Sequence, residues 1–306
     1  MAAVHVLRPI SSAWLPWAAF AAVSLIWGST WLTHKWALAD LTPIGLLVAR
    51  LLIAAPVCLA IGLMRGEAWP VRRHLPALLI AGFILTGACN VITSWSLAFL
   101  PSGVGAILQA PIPVWMALLA IRSDPLSKTG WLAVVLGLCG VSVVMWPSDK
   151  VHLPVLASVA CVLTAMVWAW ASLFQRARVH SGGLFINAGI QMTQGALLGL
   201  LAVGFGVPFS THGHVSAEAM FAVLYLAVFG SCIAFASYIY LTQVWHPARA
   251  TSFSYLNPVV AVLLGVWLGS ELITQQIVIG LLLILASVLT LQFAARRSRV
   301  DEPLPG

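Results

Sequence analysis

Runs of about twenty apolar residues, separated by short polar or turn-forming breaks, recur along the whole chain. They predict ten helices, at 13–33, 42–64, 75–98, 102–121, 129–147, 153–174, 184–205, 219–242, 248–269 and 273–294. Each suffices to cross the roughly 30 Å hydrocarbon core of a bilayer. The breaks hold residues that stop helices, among them Asp40-Leu-Thr-Pro43, Arg65-Gly-Glu67, Pro101-Ser-Gly103, Arg122-Ser-Asp-Pro125, His246-Pro247 and Gly269-Ser-Glu271. All are too short for a soluble domain. The expected fold class is therefore all-α integral membrane, with ten transmembrane helices. The first apolar run contains Ala19-Phe20-Ala21 but continues through Trp27, which favours an uncleaved helix over a signal peptide.

A polar pattern interrupts the apolar one. In the ninth run, Thr251, Ser254, Tyr255 and Pro258 fall on one helical face, with Asn257 beside them. Pro258 has no N–H, so the carbonyl of Ser254 loses its helical partner. In the fourth run, Gln109-Ala-Pro111-Ile-Pro113 frees the carbonyls of Ile107 and Gln109 in the same way. A free carbonyl in hydrocarbon must be satisfied by protein, water or ligand. Both runs are thus expected to be interrupted helices lining a cavity, the alternative being kinks satisfied by neighbouring helices.

The two interruptions are related. Shifting the chain by 145 places Pro113 on Pro258, Gln109 on Ser254, Ala110 on Tyr255 and Trp95 on Tyr240. A shift of 141 places Trp27 on Trp168, Lys35 on Arg176 and Arg50 on Gln191. The halves are 15–147 (helices 1–5) and 153–293 (helices 6–10). Five is odd, so the halves enter the membrane from opposite sides, giving an inverted 5+5 repeat bundle, a common plan among secondary transporters.

Charge sets the expected orientation. One set of loops and both termini carry Arg8, Arg65, Arg72, Arg73, Arg122, Lys128, Arg176, Arg178, Arg249, Arg296, Arg297 and Arg299, and the other set only Lys35 and Lys150. The positive-inside rule then puts both termini in the cytoplasm.

Composition agrees: 61% of residues are hydrophobic and 8% charged, against about a quarter charged in soluble domains. The net charge of +7 is scattered singly between apolar runs, so no nucleic-acid partner is expected. Cys58, Cys89, Cys139, Cys161 and Cys232 lie inside apolar runs without CxxC spacing, which argues against a disulfide framework or a metal site. No phosphate-binding loop is present; no cofactor and no metal are expected.

The remaining polar residues supply candidate substrate contacts. They are Trp27 and Thr30 in helix 1, Asn90 in helix 3, Gln109 in helix 4, Trp168 in helix 6, Gln191 in helix 7, Tyr238 in helix 8, and Ser254, Tyr255 and Asn257 in helix 9. Aromatic faces mixed with hydroxyls and amides suit a small amphipathic organic molecule. For Gln191, on one face with Asn187 and Gln194, helix packing is an equal alternative. Arg50, a charge well inside a helix, is read as structural, holding helix carbonyls; an anion or carboxylate contact is the competing role. Pro111, Pro113 and Pro258 are the candidate hinges. Gly195/Gly199 and Gly265/Gly269 read as close packing within the bundle, and a homodimer is left open. No nucleophile–base pair lies at membrane depth, which disfavours an intramembrane enzyme; a non-transporting scaffold is the other alternative.

Trp27-Gly-Ser-Thr-Trp31 with Lys35, Pro43, Arg50, Pro101-Ser-Gly103 and Pro113 resembles one EamA repeat. Tyr225-Leu-Ala-Val-Phe-Gly-Ser231, Ala250 to Gly265 and Glu271 resemble the second. The chain is thus similar to the drug/metabolite transporter superfamily, in particular bacterial EamA exporters of the YedA-like kind. The resemblance implies a ten-helix inverted-repeat bundle in the bacterial inner membrane. It further implies a cavity lined by helices 1, 3, 4, 6, 8 and 9, and export of amino acids, related metabolites or drugs. Small multidrug exporters of that superfamily use a glutamate in helix 1; this helix 1 has none.

Overall fold

The computed structural model describes residues 14–122, 124–147, 151–245 and 253–300. They form helices α1 (Leu15–Leu38), α2 (Pro43–Met64), α3 (Arg72–Phe99), α4 (Ser102–Leu119), α5 (Lys128–Val144), α6 (Val155–Arg178), α7 (Leu184–Gly204), α8 (217–244), α9 (Phe253–Trp267) and α10 (Gln275–Val300). Among the described residues there is no strand, only an isolated bridge between Leu41 and Ser210. Eight of these helices are long and apolar enough to cross a membrane; α5 and α9 are shorter. The predicted start of the ninth helix, with Arg249 and Thr251, lies outside the described residues.

The breaks read from the sequence work as caps. Thr42 accepts the Gly45 N–H at 3.0 Å ahead of Pro43, Ser127 accepts that of Gly130, and Ser216 that of Ala219. Leu197, Leu201, Phe221, Leu263, Leu282 and Phe293 are all more than half exposed. An apolar belt this wide would associate in water; lipid is the solvent it matches.

Two features depart from the expected helices. First, α3 and α8 each contain a π segment, Phe83–Ala88 and Leu226–Ile233. The wider turn shifts the hydrogen-bond register and leaves carbonyls for side chains. Second, the two proline sites behave differently. α4 is interrupted at Ala110–Pro111, between Ser102–Gln109 and Ile112–Leu119, and the Ile107 carbonyl accepts the Ala110 N–H at 3.2 Å. α9, expected to be interrupted, runs unbroken from Phe253 to Trp267 with Pro258 inside it. Paired prolines two residues apart delete two N–H groups within one turn, whereas a single proline removes one bond and leaves the flanking ladder to hold the helix.

In the packing, α2 lies along α7 and α5 along α10, while α1 contacts α8 and α9 and α6 contacts α3 and α4. The GxxxG glycines serve these contacts. A side chain at Gly195 would meet Leu51 at 2.7 Å, and one at Gly199 would meet Val48 at 2.5 Å, so this pair seats α7 on α2 within the bundle.

Candidate transport site

Three rings from three helices meet inside the bundle. Trp27 of α1 lies 5.6 Å from Tyr238 of α8 and 5.1 Å from Phe253 of α9, and those two are 5.5 Å apart. The indole is fixed by the π segment of α8, for Trp27 Nε1 donates to the Gly230 carbonyl at 2.9 Å. Thr30 Oγ1 donates to the Trp27 carbonyl at 2.7 Å. Asn257 sits on α9 near the trio; with its amide nitrogen turned inward it donates to the carbonyls of Ser24 (3.1 Å) and Phe253 (3.3 Å).

A second polar group lies on α3 and α4. Asn90 Nδ2 donates to the Leu85 carbonyl at 2.8 Å, again within a π segment. Gln109 is buried, and its Nε2 donates to Thr93 Oγ1 at 2.7 Å. Trp168 lies half-buried on α6, which packs on α3 and α4, and makes no ring contact with the Trp27 trio among the described residues. Gln191 is buried in the α3–α7 contact: a side chain at Gly82 would meet its Cγ at 2.9 Å, and its amide nitrogen reaches the Asn187 carbonyl at 3.4 Å. Its neighbour Gln194 also packs on Gly82. Tyr255 turns toward α10, where its hydroxyl donates to the Val288 carbonyl at 3.2 Å. Ser254 is half-buried beside it. Eight of the ten candidates thus fall into a trio-centred group (Trp27, Thr30, Tyr238, Asn257), an α3–α4 group (Asn90, Gln109), and residues engaged in helix contacts (Gln191, Tyr255), while Trp168 and Ser254 lie half-buried on α6 and α9.

Arg50 ties three helices together. Its Nε donates to Ser231 Oγ of α8 at 2.9 Å, and its Nη1 lies 3.3 Å from His34 Nε2 of α1. His34 Nδ1 is 2.7 Å from the Thr30 carbonyl. A carbonyl only accepts, so Nδ1 carries the hydrogen and the Nε2 lone pair faces the guanidinium.

The periodicity did not signal the clamp on the α3–α4 turn. Glu271, beyond α9, accepts the backbone N–H of Ser102 at 2.6 Å and of Gly103 at 3.2 Å. Lys35 of α1 donates to the Leu100 carbonyl at 2.7 Å. An anion thus sits at the start of α4 and a cation at the end of α3, each where the helix dipole favours it. Beside this clamp, Leu32, Trp36, Phe99, His152 and Glu218 help line a cavity of about 570 Å³. Glu67 does the same for α7, accepting the N–H groups of Phe185 and Ile186 at 2.8 and 3.1 Å. Asp40, in the α1–α2 turn, accepts the Ser216 N–H at 2.7 Å, and Ser216 holds its carboxyl below the usual carboxylate range. Among the described residues, no group of three or more His, Cys, Asp or Glu is placed to hold a metal.

The sequence profile of the EamA-like transporter family matches residues 14–146 and 155–292. The chain belongs to that family. Among relatives, the uncharacterized inner membrane transporter YedA of Escherichia coli strain K12 is 29% identical over 256 residues, 83% of each chain. A probable terminal-alkyne amino-acid exporter of Streptantibioticus cattleyicolor is 26% identical over 268 residues, 86% of this chain and 88% of its own. A solved crystal structure superposes over 93% of this EamA-family chain and 98% of its own, with TM-score 0.63 at 19% identity, which shows a shared fold.

Proposed function

We propose that this EamA-family transporter exports a small amphipathic metabolite, an amino acid or related compound or a drug, across the bacterial inner membrane by alternating access. The observation that carries the reading is the trio of Trp27, Tyr238 and Phe253, drawn from helices of both halves and bordered by Arg50, His34 and Ser231. An amphipathic solute needs such a surface, apolar on one side and hydrogen-bonding on the other. The terminal-alkyne amino-acid exporter among the relatives supports the direction and the substrate class.

Ten spans in an inverted repeat, with both termini cytoplasmic, complete the proposal. The packing supports it: α1 contacts α8 and α9, and α6, its counterpart, contacts α3 and α4. Hydrogen bonds follow the same offsets of 141 and 145. Arg50 donates to Ser231 across the two halves, and at the counterpart positions Thr86 donates to the carbonyl of Gln191 at 2.9 Å. Asp40 accepts from the Ser216 N–H, and its counterpart Ser181 accepts from the Val71 N–H at 2.9 Å. The carbonyls filled by Trp27 and Asn90, on Gly230 and Leu85, are also 145 apart.

Protein in liposomes is expected to move solutes from a panel of amino acids and drugs. Trp27→Ala should slow that movement at least tenfold at unchanged folded yield. No movement across the panel overturns the transporter reading. In a cysteine-free background, a cysteine at the start of α3 (Arg72–His74) should label only from the cytoplasmic side and one at 212 only from outside; the reverse labelling inverts the orientation.

A further inference from the structure

Arg50 begins about two turns into α2, roughly 10 Å from its start at 1.5 Å per residue. Its ties to Ser231 and His34 are to neutral groups, and among the described residues no carboxylate comes within 4.0 Å of it; the ion pair at that distance is Arg65 with Glu67. Among the described residues the guanidinium charge is therefore uncompensated, and in a low-dielectric setting an unpaired charge is costly. A guanidinium has five N–H donors. Two are used here, and the half-buried side chain keeps three in reserve. Gly230 stands beside them: a Cβ built on it would lie 3.8 Å from Arg50 Nη2 and 3.1 Å from Thr30 Cγ2. The carbonyl of this same glycine holds the Trp27 indole, and through it the Trp27–Tyr238–Phe253 trio.

We propose that Arg50 receives the carboxylate of the transported solute, with the Trp27, Tyr238 and Phe253 rings receiving its apolar part. The inference rests on the transporter reading above and narrows it to solutes carrying a free carboxylate. The fixed ties hold the planar fork in one orientation, and the remaining N–H groups offer the paired donors that a carboxylate accepts. Binding supplies the missing anion, so the solute is favoured by a charge that is otherwise unpaired. Gly230 keeps the approach open, and the indole face beside it suits an apolar side chain or an ammonium.

The test pairs acids with their amides, of nearly equal shape, in proteoliposomes: L-phenylalanine with L-phenylalaninamide, and L-leucine with L-leucinamide. The wild type is expected to move each acid at least tenfold faster than its amide. Arg50→Gln places at 50 the residue that already stands at the counterpart position 191, and should erase that preference. Arg50→Lys keeps the charge without the fork and should retain a weakened one. Equal movement of acid and amide by the wild type, or an unchanged preference in folded Arg50→Gln, overturns the role of Arg50 and leaves transport standing. Movement of the amides or drugs without the acids does the same. Movement of nothing overturns both.

Discussion

Glu271→Ala is expected to lower the stability of the protein by about 3 kcal/mol, read as the midpoint of unfolding by SDS in mixed micelles. Two backbone N–H groups, of Ser102 and Gly103, lose a charged acceptor together, and hydrogen bonds to charged groups contribute about 1.5–3 kcal/mol each when the partner is left unsatisfied. Ser102 is fully buried, so water cannot take the place of the carboxylate. Glu271→Gln keeps a carbonyl oxygen to accept one bond and loses the charge, so about half the loss is expected. Lys35→Met should cost less than Glu271→Ala, because the carbonyls of Leu97 and Leu100 that it serves lie 3.4 and 2.7 Å away and only the second bond is short. If Glu271→Ala unfolds at the wild-type midpoint, the α4 cap carries no stability and the clamp is incidental.

Neither this clamp nor the Arg50 junction can be read from the chain, for the same reason. Apolar periodicity is a property of consecutive residues, and it located α2 (predicted 42–64, observed Pro43–Met64) and α7 (184–205, observed Leu184–Gly204) within a residue at each end. The family motifs are local as well. Glu271, by contrast, meets Ser102 across 169 positions and Arg50 meets Ser231 across 181, and nothing in either neighbourhood names the other. Trp27 and Tyr238 were legible as aromatic residues inside apolar helices, but Phe253 was not, since a phenylalanine there is indistinguishable from lipid-facing bulk. The π segments were hidden by composition: Phe83–Ala88 and Leu226–Ile233 read as ordinary helix, and Trp27 and Asn90, which are among the side chains that fill their carbonyls, become informative only once the wider turn is known. The expectation of a broken α9 rests on one proline, and the single N–H it removes leaves the helix continuous from Phe253 to Trp267. A hinge signal in hydrocarbon needs the count of lost N–H groups and not the presence of proline alone.

Gly28 is expected to be the least replaceable residue of α1. A Cβ there would lie 2.6 Å from Val260 Cβ and 2.7 Å from its Cγ1, well inside van der Waals contact, so α1 and α9 cross at this point with no space for a methyl group. Gly28→Ala should destabilise by about 2 kcal/mol, because the added atom can be accommodated only by separating two packed helices. The gain in helix propensity, about 1 kcal/mol, is opposed by that strain. Separation would also pull Trp27 away from Phe253, so transport should fall alongside stability. Val260→Gly alone leaves a void and weakens its helix, for about 2 kcal/mol. The double variant Gly28→Ala/Val260→Gly moves the missing side chain from one helix to the other across the same contact. It should be more stable than the sum of the single changes predicts by at least about 1 kcal/mol, the size of coupling expected for residues in direct contact. Strict additivity in SDS unfolding would mean that α1 and α9 do not touch at Gly28 and Val260. Coupling without recovery of transport would separate the packing role of the crossing from its second task, holding the Trp27 ring against Phe253 beside Arg50.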